Sequence, residues 1–359
     1  MRTKIPPTIR VSTLMACSYI LVGVLFFVLI GNAALNGKVD LQFFADSLTY
    51  ASAAEEWRFG DFYSLVGVNK NYLGPVLIFR ALFMEHWAVL VFNAGLFLIS
   101  LALLGKNNLV DRRVLVFTLA LSPITFSSLL SINKEILSLF VVALLICNIS
   151  RKSFAITLFA IVVSFFVRWQ MTVFVFALVL LDSRINPVFK SRWLTLIGAL
   201  AGLSIVYPLT LSLFSHTDAV AALGAAESEG SGLYSMMIKI QNMGGYFIVF
   251  IPKVLQSMFG LAAKVGNIDS LGFYNSIVVG LHSVVAFLLF LFLLVLRRFS
   301  LQNDAIFMAM LYCAIFGLSP IYAPRYYYPA FVMMCFALSM RRRSGHIKFR
   351  DSDSNVKCR

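Results

Sequence analysis

The chain has 359 residues, of which 60% are hydrophobic and only 13% charged, with a mean hydropathy of +0.86 and a formal net charge of +14. A soluble globular domain is nearer half apolar and a quarter charged, so that class is excluded. The charge excess does not point to nucleic acid: Lys and Arg fall in short loops between apolar runs, as the positive-inside rule expects, and no nucleic-acid module is visible.

Apolar runs long enough for a bilayer recur along the chain, and the alternating strands of a barrel are not seen. The expected fold is all-α, a polytopic transmembrane helical bundle in the lipid bilayer. Residues 1–340 read as one integral membrane domain, and 341–359 as a basic cytoplasmic tail on the anionic leaflet. The N-terminal run contains Gly31-Asn32-Ala33, which resembles a cleavage site. Its apolar stretch is about twice a typical signal h-region, so 11–34 is expected to stay as an uncleaved first span.

A polar loop follows over 35–75. It holds Asp40, Asp46, Glu55, Glu56 and Asp61, five of the 16 acidic residues. Carboxylates beside a bilayer usually serve a function. Segment 43–58 reads as an external amphipathic helix, with Phe43, Phe44, Leu48, Ala51 and Trp57 toward lipid and Asp46, Glu55 and Glu56 toward water.

Further candidate spans are 86–104, 113–131, 135–150, 153–168, 170–182, 193–214, 272–296, 304–321 and 326–340. With ten crossings, the N-terminal cations, Lys106/Arg112/Arg113, Arg151/Lys152, Arg184/Lys190/Arg192, Arg297/Arg298 and the tail share one face. That face is then cytoplasmic, with both termini inside. Segments 72–84 and 243–263 break this parity if they cross. Each holds a proline and a cation (Pro75 and Arg80, Pro252 and Lys253) and reads as half-inserted, giving about ten to twelve membrane helices. The 215–242 loop is small and polar and is expected to be mobile. Cys17, Cys147, Cys313 and Cys335 lie in apolar spans and Cys358 in the tail, without a disulfide or metal spacing.

The external face gathers acids (Asp46, Glu55, Glu56, Asp61, Glu135), cations (Arg80, Lys134, Arg168, Lys253, Arg325) and Tyr50, Tyr63, Trp169, Gln170 and Tyr326 to Tyr328. A carboxylate can take a proton from a hydroxyl. Arg binds phosphate oxygens bidentately and Lys binds them as a point charge. Aromatic rings stack on sugars. The set suits attack of a sugar hydroxyl on a glycosyl group carried by a lipid phosphate. Each member also has a bland reading: Asp46 as a helix cap, Asn133-Lys134-Glu135 as a turn with an acid at a helix start, Arg168 as a snorkelling cation, Arg325 as an interfacial anchor, His282 as a packed polar residue.

The order of these features resembles the GT-C class of polytopic glycosyltransferases and the related bacterial envelope-polysaccharide (O-antigen-type) polymerases. The resemblance rests on Asp46-Ser-Leu-Thr-Tyr50-Ala-Ser-Ala-Ala54 after the first span, Gly74-Pro75 opening the next helix, Ser122-Pro123 leading to Asn133-Lys134-Glu135, and Arg325-Tyr326-Tyr327-Tyr328-Pro329 near the end. It implies a GT-C-like fold in the bacterial inner membrane, a polyprenyl (pyro)phosphate-linked saccharide as donor and a glycan acceptor. It further implies Asp46 and Glu135 as catalytic residues, with Tyr50, Glu55, Arg80, Lys134, Arg168, Gln170, Lys253, Arg325 and Tyr326 binding substrate. Ser47 stands where many members have a second acid, and Gly74 where many have a proline. These departures leave open whether a divalent metal ion is needed, and whether the chain is a transferase or a polymerase. The alternative is a flippase for lipid-linked saccharide, or another small-molecule transporter.

Overall fold

The computed structural model describes residues 11–39, 42–57, 72–106, 109–181, 191–209, 232–264, 274–319 and 324–341. Among them there is no strand, only an isolated bridge between Val110 and Met340. Five helices are long and apolar enough to cross a bilayer: α1 (Val11–Leu35), α4 (His86–Leu104), α10 (Arg192–Leu209), α11 (Leu233–Ala262) and α12 (Tyr274–Val295). The chain is therefore a multi-pass helical membrane protein. A broken pair, α5 (Arg112–Ala120) and α6 (Pro123–Leu130), bends by 79° and serves as a sixth candidate. The break follows from the sequence, because Pro123 lacks an N–H and suits the first turn of a new helix. The Ser122 side chain caps that helix by accepting from Thr125 N.

The remaining helices are shorter: α2 (Ala45–Glu56), α3 (Leu73–Ala81), α7 (Glu135–Arg151), α8 (Phe154–Val167), α9 (Trp169–Leu180), α13 (Asp304–Phe316) and α14 (Tyr328–Ser339). Over the described residues all ten expected spans fall on helices, but five of these, α7, α8, α9, α13 and α14, are shorter than a full crossing and 113–131 is broken. α7, α13 and α14 are buried on nearly every side. A helix apolar all round belongs inside a bundle, and here these three form the core. The longer spans α1, α10 and α12 ring it and turn Leu21, Leu29, Ile205, Phe292 and Val295 outward.

The helix ends sort into two groups. At one end Arg112 Nε donates to Gly105 O at 2.8 Å, Arg341 N to Leu109 O at 2.6 Å, Arg298 to Leu338 O, and Arg192 to Leu301 O at 2.9 Å and to the Asp304 carboxylate. Lys106, Arg151 and Gln302 line one cavity there. The described members of the basic clusters thus share this basic end. Arg184, Lys190, the first ten residues and 342–359 lie outside the described residues. The other end carries α2, α3, the 131–134 turn, Arg168 and the Pro324–Tyr327 turn, and is here called the aromatic end.

Two expectations change on inspection. α2 does not turn its apolar side to lipid. Phe44, Tyr50, Ala54 and Trp57 are buried, and α2 packs on α3 while Leu48 is exposed. The cause is polar docking: Ser47 Oγ donates to Ile132 O at 2.9 Å, and Arg80 Nε donates to Ala54 O at 2.7 Å. The 215–242 loop is not wholly a loop either, since its last residues begin α11; the described chain resumes at 232.

The segments read as half-inserted differ. α3, at nine residues, spans only about 14 Å and cannot cross. α11 is long enough to cross, but it is kinked at Gly244, whose φ of 88° suits glycine. Its polar contacts go to Ser204, Ala314, Leu318 and Ser319, all near the aromatic end. Beyond the kink Phe259 packs against Phe287 and Phe290 of α12 with ring centroids 5.6 Å apart. The expectation that 243–263 is only half-inserted thus meets a helix of crossing length.

Candidate functional site

The site is built at the aromatic end, where three helix breaks converge. The first break is the 131–134 turn between α6 and α7. Asn93, buried on α4, donates to Ser128 O at 3.0 Å and Ser131 O at 2.9 Å, taking up carbonyls left at the end of α6. α7 then starts at Glu135, where a carboxylate suits the positive end of the helix. The second break is Arg168, extended at φ −165° and ψ 146° between α8 and α9. The third is the short turn Pro324–Tyr327 before α14.

These breaks bring together side chains far apart in sequence. Arg168 Nη2 donates to Glu135 Oε1 at 3.0 Å, with the residues only 7% and 3% exposed. The Arg168 guanidinium also lies 3.9 Å from the centroid of the Tyr326 ring. Arg325 approaches the same ring at 5.4 Å and the Tyr274 ring at 5.9 Å. Tyr326 is held in turn, since Tyr312 Oη donates to its carbonyl at 2.7 Å. Next to Glu135, Lys134 sits 5.2 Å from the Tyr50 ring and 6.0 Å from the Tyr72 ring. Glu135 is the one buried carboxylate among the described residues.

The set is under-satisfied. Glu135 Oε2 and Gln170 Oε1 are both buried without a hydrogen-bond partner among the described residues. Buried polar atoms are nearly always paired, so Glu135 Oε2, one of nine such atoms among the described residues and the one beside Arg168, can accept from a polar ligand or water. The site can hold an anion through Arg168 and Arg325 and can stack a planar or sugar face on Tyr50, Tyr72 and Tyr326.

The other expected site residues are arranged differently. Arg80 donates to Ala54 O and, at 3.4 Å, to Glu55 O, and also to Trp57 O, so its guanidinium closes the C-terminus of α2. Glu55 is exposed on the last turn of α2 and is not drawn into the cluster. Lys253, fully buried, donates to Gln241 Oε1 and to Ser319 O at 3.1 Å, and so holds the turn after α13. Cations are favourable at helix C-termini, and Arg80, Lys253, Arg112 and Arg298 all act there. Asp46 belongs to the first turn of α2, one residue before the Ser47 hydroxyl that docks on Ile132; its side chain lies outside the described residues, as do Asp61 and Tyr63. No group of three or more His, Cys, Asp or Glu that could hold a metal is found among the described residues.

Sequence reasoning missed Tyr72, Tyr274, Tyr312 and Gln241. Nothing in their spacing distinguishes them from other interfacial aromatics and amides. His282 is a packed polar residue: its Nδ1 lies 2.8 Å from Ser122 Oγ at the α5–α6 bend, among Tyr328 and Phe331.

Comparison of the chain with family models, with curated proteins and with solved structures finds no match.

Proposed function

We propose that the chain is a GT-C-like membrane glycosyltransferase or polysaccharide polymerase of the bacterial cell envelope. It uses a polyprenyl (pyro)phosphate-linked sugar at the aromatic end. That end faces outward, because the positive-inside rule assigns the basic end to the cytoplasm. The observation that carries the reading is the buried Arg168–Glu135 pair stacked on Tyr326, with Arg325 on the same ring and Glu135 Oε2 unpartnered.

In this mechanism Arg168 and Arg325 hold the donor phosphate, and Glu135 fixes the plane of the Arg168 fork. An acceptor hydroxyl attacks the anomeric carbon. The carbon–oxygen bond to the phosphate breaks, and polyprenyl (pyro)phosphate leaves with the bonding electrons. The hydroxyl proton passes to a carboxylate, for which Asp46 in the first turn of α2 is the candidate. Preformed positive charge at the developing phosphate anion is the kind of interaction that lowers such barriers most. Tyr50 and Tyr72, beside Lys134, offer faces for the acceptor sugar.

The glycan profile of cells lacking the protein tests this. Collapse of a polymer ladder to one repeat identifies a polymerase, and loss of one sugar a transferase. An unchanged envelope glycan counts against both. A second reading, a flippase for the same lipid-linked saccharide, is favoured by α11, a kinked apolar element with a fully buried lysine. Counterflow of the lipid-linked saccharide in liposomes without bond cleavage identifies that activity.

A further inference from the structure

The basic end holds a cavity of about 500 Å³. Its walls are the last turns of α4 (Leu103, Leu104), α7 (Ile146, Ile149) and α14 (Phe336), and its rim carries Lys106 and Arg151. Gln302, just before α13, adds an amide, while the Asn303 amide on the lining already caps α13 through Ala305 N and meets Met340 Sδ. The acid on the lining, Asp304, is already paired with Arg192. Lys106 and Arg151 are exposed and form no ion pair among the described residues. The cavity thus combines an apolar interior between membrane helices with a rim of two available cations, at the level where the helices end.

We propose that this cavity binds the phosphate headgroup of an anionic phospholipid from the leaflet around the basic end. Lys106 and Arg151 meet the phosphate, the Gln302 amide meets headgroup hydroxyls, and the apolar walls take the upper part of an acyl chain. The match is one of charge and depth. Basic pockets between membrane helices suit anionic headgroups, with each cation contributing a similar increment. A soluble anion gains nothing from the Leu, Ile and Phe walls. The site is at the opposite end from the Arg168 cluster and does not rest on the proposed transferase activity.

The test uses purified full-length protein in nanodiscs of phosphatidylcholine doped with increasing phosphatidylglycerol, with bound lipid counted by native mass spectrometry. Wild-type protein retains one phosphatidylglycerol. Lys106→Gln and Arg151→Gln each weaken retention about fivefold, and the double variant about 25-fold. The control pair Arg113→Gln with Lys152→Gln removes equal charge from the same end, outside the cavity lining, and leaves retention unchanged. Equal loss in both pairs shows diffuse surface attraction and overturns the proposal, as does no loss in either. Displacement of the lipid by millimolar inorganic phosphate also overturns it, because the site then recognises a free anion.

Discussion

Glu135 and Arg168, 33 residues apart, are joined by an ion pair of 3.0 Å whose guanidinium face rests on Tyr326. The pair sits where α7 begins and where α8 gives way to α9, so two breaks in the helical ladder meet at one charge contact. Removing one partner of such a pair leaves a buried charge uncompensated, at a cost of about 3–5 kcal/mol. Arg168→Ala and Glu135→Ala should therefore both lower thermal stability in detergent by a comparable amount. The double variant should cost less than the sum.

Arg168→Lys separates holding from chemistry. Lys keeps the charge but lacks the planar fork and stacks poorly on Tyr326. Turnover should fall at least about tenfold, or ~1.4 kcal/mol of barrier, with protein abundance unchanged. Arg325→Lys should behave alike, and the two should be non-additive if both contact one phosphate. Wild-type kinetics in both variants identify interfacial anchors.

Arg80 and Lys253 should behave oppositely. Their donors meet backbone carbonyls and the Gln241 amide, so Arg80→Ala and Lys253→Met leave acceptors unpaired at about 1–3 kcal/mol each. Melting temperature should fall, while the KM for donor in the surviving folded fraction stays at the wild-type value. A large rise in KM without loss of stability assigns them to substrate instead.

Gly74 tests the fold around the site. A Cβ there falls inside contact distance of the Phe166 carbonyl oxygen, a backbone atom that cannot rotate away. Gly74→Ala should displace α3 from the end of α8 and destabilise by about 3 kcal/mol. Protein yield and melting temperature check this, and a neutral result contradicts the packing of α3.

The hydrophobic runs announced nearly every helix, because bilayer-length apolar stretches have few other uses. They did not tell core from rim. α7, α13 and α14 are apolar like their neighbours, and length does not separate them either, since α8 and α9 are as short yet expose Phe154, Phe165, Phe176 and Leu180. For the site, residue types at helix breaks were legible: Asn133-Lys134-Glu135, Arg168 and Arg325-Tyr326 all stand beside polar or proline interruptions. Which cation serves a helix end and which faces the pocket was not legible. Arg80 and Arg168 look alike in sequence, and their partners lie 26 and 33 residues away. Ser47 reads only as a departure from a double acid, yet it docks α2 onto the 131–134 turn.

Asp46→Asn should reduce turnover by about 10²–10⁴-fold, the usual worth of a general base, while the protein accumulates normally. Near-full turnover at equal abundance removes Asp46 from the mechanism and leaves the proton with another group.

The most direct measurement is sugar transfer by purified protein in liposomes. The substrates are a polyprenyl (pyro)phosphate-linked sugar, labelled in the sugar, and a glycan acceptor. The account predicts that label moves to acceptor with matching release of polyprenyl (pyro)phosphate, and that Arg168→Lys slows this at least about tenfold. Movement of intact donor between leaflets with no label in acceptor contradicts it.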